Sequence, residues 1–283
     1  IFNLRKDLDE EFKCFKGGAR LGIEKIKNLS LTEKIIKIFS SYEIKNIAGE
    51  VEKNFLKKTY ILPLFEIDKN LHVNPKKSYA WHKDCGGETK YQYCNNIIKD
   101  KTYFFPKVGI YLQKNEEFGG GIDIIKKSHK KTIIGKVKII NYMLMNIVWK
   151  YFKNFYLKIY KKNFYMFFLG AKKLNPEVGC AVIFDSRLIH RGSPIGKSKF
   201  NEVNFIEDTN HAWVPEKKSK YSFYCQMGTF DSTDSYFYDR LKRKYTVNEL
   251  QTWLKQIDII RNFDKHFAEK MDQIVLPIKK KYL

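Results

Sequence analysis

His82, Asp84 and His190 are the residues of this chain best suited to hold a metal. His82 and Asp84 stand two apart at the end of the apolar run Tyr79-Ala80-Trp81. On a strand, residues two apart point to the same side, so one rigid element can fill two adjacent coordination positions. His190 follows a second apolar run, Ala181-Val182-Ile183-Phe184, and completes the set from another strand. Two imidazoles and one carboxylate on one face of a metal, with open positions opposite, suit dioxygen chemistry on non-haem Fe(II). The open positions can take a chelating co-substrate and O2. His-x-Asp alone is a weak signal: with six His and 14 Asp in 283 residues, chance supplies about 0.3 such pairs.

The ordered set of segments is far more specific. Tyr79-Ala80-Trp81-His82-Lys83-Asp84 comes first, and Phe118-Gly119-Gly120-Gly121-Ile122-Asp123-Ile124-Ile125-Lys126-Lys127-Ser128-His129 second. Gly179-Cys180-Ala181-Val182-Ile183-Phe184-Asp185-Ser186-Arg187-Leu188-Ile189-His190-Arg191-Gly192-Ser193-Pro194 closes it. Together they resemble the phytanoyl-CoA dioxygenase-like family of Fe(II)/2-oxoglutarate-dependent oxygenases, over roughly residues 60–230. The resemblance implies Fe(II), 2-oxoglutarate as co-substrate and O2. It implies hydroxylation of an unactivated carbon of a small-molecule substrate of lipid, sugar, amino-acid or natural-product type, with release of succinate and CO2. Halogenating relatives have no carboxylate at the position of Asp84, so its presence favours hydroxylation; desaturation and ring closure stay open.

The resemblance also asks for a cation to hold the far carboxylate of 2-oxoglutarate. The family usually places an Arg there, at the start of a strand. Its spacing here falls near the neutral Asn201. Lys220, which opens Lys220-Tyr221-Ser222-Phe223-Tyr224-Cys225 after an apparent insertion, matches that Arg by strand context. Lys199 ranks second and Arg191 third. A Lys supplies one point charge rather than a fork. Ser193 either bonds a co-substrate carboxylate or shapes the turn before Pro194. Tyr111 alternates with Gly109 and either lines the cavity or packs in the core. His129 falls beyond the metal in the family pattern and is not counted as a ligand. Trp81 reads as core. Gly119–Gly121 lacks the Gly-Lys-Ser ending of a phosphate loop and reads as a tight turn.

These residues need a scaffold. Residues 60–230 carry short apolar runs with turn signals between them: Tyr60–Phe65, Tyr79–His82, Val108–Leu112, Gly121–Ile125, Ala181–Asp185 and Tyr221–Gly228. Such spacing suggests a sandwich or barrel. With the metal motif, the reading is a mainly β fold with flanking helices and a double-stranded β-helix core, a cupin-like jelly roll. Residues 1–50 read as helices. Ile23, Ile26 and Leu29 recur at helical spacing, as do Ile35, Ile36 and Phe39, and Ser30-Leu31-Thr32-Glu33 reads as a helix start. Residues 51–130 and 173–230 then form the barrel, and 231–283 the C-terminal helices, with Leu250, Trp253, Leu254, Ile257 and Ile260 on one stripe. Residues 131–172 read as a helical insert that covers the barrel or serves as a substrate lid; a helix lying on a membrane surface is the alternative. The whole of 1–283 is read as a single oxygenase domain.

Composition bounds the function. The net charge is +22, but seven of the basic residues are Arg and 46 are Lys. Arg leads in bidentate phosphate and base recognition, so a nucleic-acid partner is not expected. Solvated lysines from an AT-rich coding sequence explain the charge; an anionic partner, either a phosphorylated or acyl-carrier-bound substrate or an anionic membrane, is the alternative. Five scattered cysteines, without a Cys-x-x-Cys pair, argue against structural zinc and a disulfide framework. That fits a reducing, cytoplasmic setting. No uncharged apolar run reaches the length of a membrane span. Two further classes remain open: a cupin-like metalloenzyme that does not use 2-oxoglutarate, and a non-catalytic basic binding protein. Oligomeric state is not legible.

Overall fold

Alternation divides the larger of two sheets into an apolar and a polar face. Along Lys220–Gly228 (β8), Tyr221, Phe223, Cys225 and Met227 are buried in one apolar cluster, while Lys220, Ser222, Tyr224 and Gln226 take the positions between. Along Pro106–Tyr111 (β3), Val108 and Ile110 join that cluster, and Lys107, Gly109 and Tyr111 alternate with them. A period of two turns each set to its own side. The structure, a computed structural model, describes residues 2–15, 19–55, 58–70, 84, 106–113, 122–129, 133–152, 170–174, 176–192, 220–234 and 246–283.

With Ala19–Gly22 as β1, Tyr60–Asn70 as β2 and Ala181–Asp185 as β6, the larger sheet runs β1-β2-β8-β3-β6. Ile122–Ile125 (β4), Ala171–Leu174 (β5) and His190–Gly192 (β7) form the smaller one, β5-β4-β7. Every neighbouring pair is antiparallel. Register pairs Phe184 with Lys107 and Val182 with Gly109, so both apolar side chains share the polar face of the larger sheet. They meet Ile122, Ile124 and Leu174 of the smaller sheet, and Leu188, in a second cluster. The smaller sheet therefore packs over the edge of that face.

Helices cover the apolar face. Phe2–Glu11 (α1), Leu29–Phe39 (α2), Thr246–Phe263 (α5) and Lys265–Tyr282 (α6) present Leu4, Leu8, Ile35, Phe39, Trp253, Ile257, Met271 and Ile274 to the main cluster. Each fully buried side chain of this size contributes about 1.5–3 kcal/mol. Phe39 stacks on Phe65 at 4.6 Å, which locks α2 against β2. Tyr42–Phe55 (α3) and Ile133–Tyr151 (α4) are further α-helices, and residues 230–234 are helical as well. More of the described chain is helix than strand, so the architecture is mixed α and antiparallel β. No helix among the described residues is long and apolar enough to cross a membrane.

Five of the six expected strands are present with small shifts of boundary; Tyr79–His82 lies outside the described residues. The C-terminal stripe is helical, with Leu250, Trp253, Ile257 and Ile260 buried. Two expectations for the N-terminal helices need correction. Ile23 and Ile26 do not share a helix stripe with Leu29: Ile23–Lys25 is a 3₁₀ turn, and Leu29 is 69% exposed. Nor is Ser30 the helix start. The Asn28 side chain accepts from Leu31 N at 3.0 Å and caps α2. Glu11 takes the N–H groups of Lys27 and Asn28, at 2.8 and 3.1 Å, which seats that helix end against α1.

Candidate metal centre

His190 is positioned by the turn that joins the two sheets. Asp185 at the end of β6 accepts from Arg187 N at 2.8 Å and from Arg187 Nε at 2.9 Å. Leu188 N reaches Asp185 O at 2.8 Å, and Ile189 N reaches Ser128 Oγ at 2.8 Å. Ser128 is thus a structural member of the Ser-His-Lys segment: it fixes the residue before His190. Register sets His190 opposite Ile124, on the face that meets Phe184, and the rings of His190 and Phe184 lie 4.6 Å apart. The histidine is 5% exposed.

The tautomer of its neutral ring is set by the same turn. His190 Nδ1 is 2.9 Å from Leu188 O. A carbonyl only accepts, so Nδ1 carries the hydrogen and the lone pair of the neutral ring lies on Nε2. Nε2 is 3.6 Å from Asp84 Oδ2. Asp84 is held from the other side, because its N–H donates to Ser186 O at 3.0 Å, and Ser186 Oγ accepts from Gln226 Nε2 at 3.0 Å. A lone pair and a carboxylate oxygen 3.6 Å apart leave room for a shared cation, and Lys107 Nζ lies 3.3 Å from the same oxygen. Metal–donor distances of about 2.0–2.2 Å suit two donors so placed. An orienting acceptor on the far ring nitrogen is the usual support of a metal-bound histidine. The donor chemistry of these two residues therefore fits a divalent metal.

Asp84 is the one described residue between 71 and 105, so His82 lies outside the described residues, as do Lys199 and Ser193. Among the described residues no group of three His, Cys, Asp or Glu gathers. Arg191 follows His190 on β7, in register with Asp123; its side chain is not among those described.

Lys107 is a member of the site that motif reasoning passed over. Its Nζ is 3.3 Å from Asp84 Oδ2. Burial pulls the amine down, but Asp84, with Glu66, outweighs that and holds it above the ordinary lysine value. Lys107 Nζ also lies over the Tyr224 ring, 4.7 Å from its centroid. Tyr224 shares a hydrogen bond with Tyr111, and burial raises both hydroxyls, Tyr111 well above the usual range. Tyr111 therefore faces the polar interior rather than the apolar core. Lys220 Nζ lies 5.4 Å from the Tyr111 ring centroid. A continuous row of contacts thus runs from Asp84 through Lys107, Tyr224 and Tyr111 to Lys220.

Lys220 is buried, 5% exposed, and burial lowers its amine to about 8 although Asp68 pulls the other way. Arg20 takes Asp68, with Nε to Oδ1 at 2.6 Å and Nη2 to Oδ2 at 2.9 Å. The carboxylate nearest Lys220 in charge is therefore already engaged by another cation.

The row depends on Gly109. A Cβ there would lie 2.8 Å from Tyr224 Cε1 and 3.2 Å from Cδ1. Gly109→Ala should push the Tyr224 ring off its seat and loosen Lys107. The expected loss is about 1–3 kcal/mol of stability, measurable by urea unfolding, as for other overpacked sites. Wild-type stability would mean that Tyr224 moves freely and does not order the row.

Compared with protein-family models and with curated proteins, the chain matches none.

Proposed function

We propose that this chain is a non-haem Fe(II)/2-oxoglutarate-dependent dioxygenase that hydroxylates an unactivated carbon of a small-molecule substrate. The observation that carries the reading is the 3.6 Å approach of His190 Nε2 to Asp84 Oδ2, with Nδ1 tied to Leu188 O. Two residues far apart in sequence, both members of the expected triad, meet with their donor atoms 3.6 Å apart. His82 is the third ligand in this reading.

Strand order supports a jelly-roll core. An eight-stranded jelly roll divides its strands between two packed sheets. Here β2, β3, β6 and β8 belong to one sheet, and β4, β5 and β7 to the other, with β1 added at an edge. The proposal needs one more strand, between β2 and β3 in sequence and beside β7 in space. Tyr79–His82, which leads into Asp84, is the segment the sequence offers. A strand there would bring His82 and Asp84 to His190 on β7.

The bound Fe(II) would supply the oxidising chemistry. The reaction balances as substrate C–H plus O2 plus 2-oxoglutarate going to C–OH, succinate and CO2. The chain's own residues do the rest. His190 and Asp84 hold the metal, Phe184 shields one side of the imidazole, and Lys220 meets the far carboxylate of the co-substrate. Tyr111 and Tyr224 separate Lys220 from Lys107, so the two cations serve different anions.

A screen for substrate-stimulated succinate release tests this. Succinate should form only with Fe(II) and 2-oxoglutarate both present. Turnover without 2-oxoglutarate would establish a different metalloenzyme. A chain that binds no Fe(II) would overturn the reading altogether.

A further inference from the structure

One helix carries an apolar stripe that is exposed along its length. On α4, Ile133, Val137, Ile140, Leu144, Ile147 and Tyr151 recur at alternating spacings of four and three, which places them on one helix face. All six are exposed; Ile133 is 80%, Ile140 54% and Ile147 50% exposed. Among the described elements none packs closely on α4. A contiguous exposed apolar stripe of this length marks a surface that docks on something.

Charge selects the occupant. From Lys126 to Lys173 the chain holds 13 Lys and no Asp or Glu. A second copy of this chain docked on the stripe would set two such segments against each other, and their charges would repel. An anionic lipid surface reverses that sign. Lysine ammonium groups reach phosphate-level charge on flexible stems, while the apolar face enters the acyl boundary. The aromatic residues on and after the helix, Trp149, Tyr151 and Phe152 among them, are the types enriched at that depth. The helix is not long and apolar enough to span.

We propose that α4 docks the protein on anionic bilayers, lying in the plane of the interface with its Ile133–Tyr151 stripe buried in lipid. The attachment is reversible, because it rests on one apolar stripe and on screened lysine charge.

Flotation of the full chain with vesicles tests this. Vesicles in which about a third of the lipid is phosphatidylserine should carry the protein up at least about tenfold better than phosphatidylcholine alone. The preference should shrink as salt is raised. The double variant Ile140→Glu, Leu144→Glu changes exposed positions, so its circular dichroism and melting should match wild type. Its partition onto the phosphatidylserine vesicles should fall at least about tenfold. Wild-type partition by this folded variant would overturn the proposal. So would a wild-type chain that stays off anionic vesicles, whether monomeric or in a dimer that the double variant dissolves; the dimer would make a second copy the occupant. If the variant melts below wild type, Val137→Ser with Ile147→Ser at the same stripe gives the decision on the same vesicles.

Discussion

His190→Ala should remove iron binding and, with it, all iron-dependent turnover. The turn from β6 to β7 sets this ring 3.6 Å from Asp84, where the proposed metal would bind. Iron affinity should fall at least about a hundredfold, since changes merely behind a ligand already cost tenfold to a hundredfold. Truncation also empties a buried site beside Phe184, so roughly 2–4 kcal/mol of stability should go with it. Asp84→Asn separates the two effects. Asp84 is held through its backbone N–H, which the substitution keeps, and its side chain is 21% exposed. That variant should lose iron without opening a cavity; the stability it loses comes instead from the buried Lys107 ammonium left without its carboxylate. An iron titration beside a thermal melt reads both quantities. Wild-type iron stoichiometry in both variants would end the assignment. His82→Ala, measured in the same way, decides whether the third ligand is the one the spacing names.

The pairing of His190 with Asp84, the basis of the proposed metal site, stands out in the sequence because its residue types are scarce. Six His in the chain make the position of each informative, and the apolar run before His190 marks β6, whose closing turn leads into it. Lys107 was hidden by the opposite circumstance. In a chain with 46 Lys, one more before a strand carries no signal. Alternation held the clue, since Lys107, Gly109 and Tyr111 share one parity on β3, but parity does not say which face meets the site. Pairing with β8 and β6 decides that. The strands that escaped detection were β1, β5 and β7, of three or four residues each. Ala171-Lys172-Lys173-Leu174 has no internal pattern that calls for a strand; its pairing with β4 does. Likewise Ile23 and Ile26 share a helical period, yet Ile23 opens a 3₁₀ turn that ends at Lys25 and Ile26 follows it in extended conformation, both buried in the main cluster. Long, strongly patterned segments such as α5 reveal themselves, whereas short ones are defined by their neighbours.

Lys220→Met should weaken 2-oxoglutarate binding while stabilising the protein that lacks it. The free amine titrates near 8 because burial penalises its charge. In the unfolded chain it would titrate near 10.5, the ordinary value. Between these limits the unfolded chain binds more protons, so this group's contribution to stability rises with pH from about 8 to about 10.5. Below 8 the buried ammonium costs the fold a few kcal/mol, which methionine removes. Wild type minus Lys220→Met, measured by urea unfolding across that range, isolates the group. Binding runs the other way. A dicarboxylate needs the ammonium, so its affinity should be level below pH 8 and fall by up to about tenfold per pH unit above it. Lys220→Met should raise the apparent KM for 2-oxoglutarate at least about tenfold, the equivalent of roughly 1.4 kcal/mol, and erase that pH dependence. Lys220→Arg should keep partial binding if the pocket beside Tyr111 admits the larger fork, since guanidinium stays charged throughout. An unchanged KM in Lys220→Met, with a large rise in Lys199→Ala or Arg191→Ala, would transfer the role to that residue. No change in any of the three, nor in Lys107→Met, would count against 2-oxoglutarate as the co-substrate, because its far carboxylate cannot be buried without a cation. The pairing of His190 with Asp84 would then stand alone, as the site of a metalloenzyme with a different second substrate.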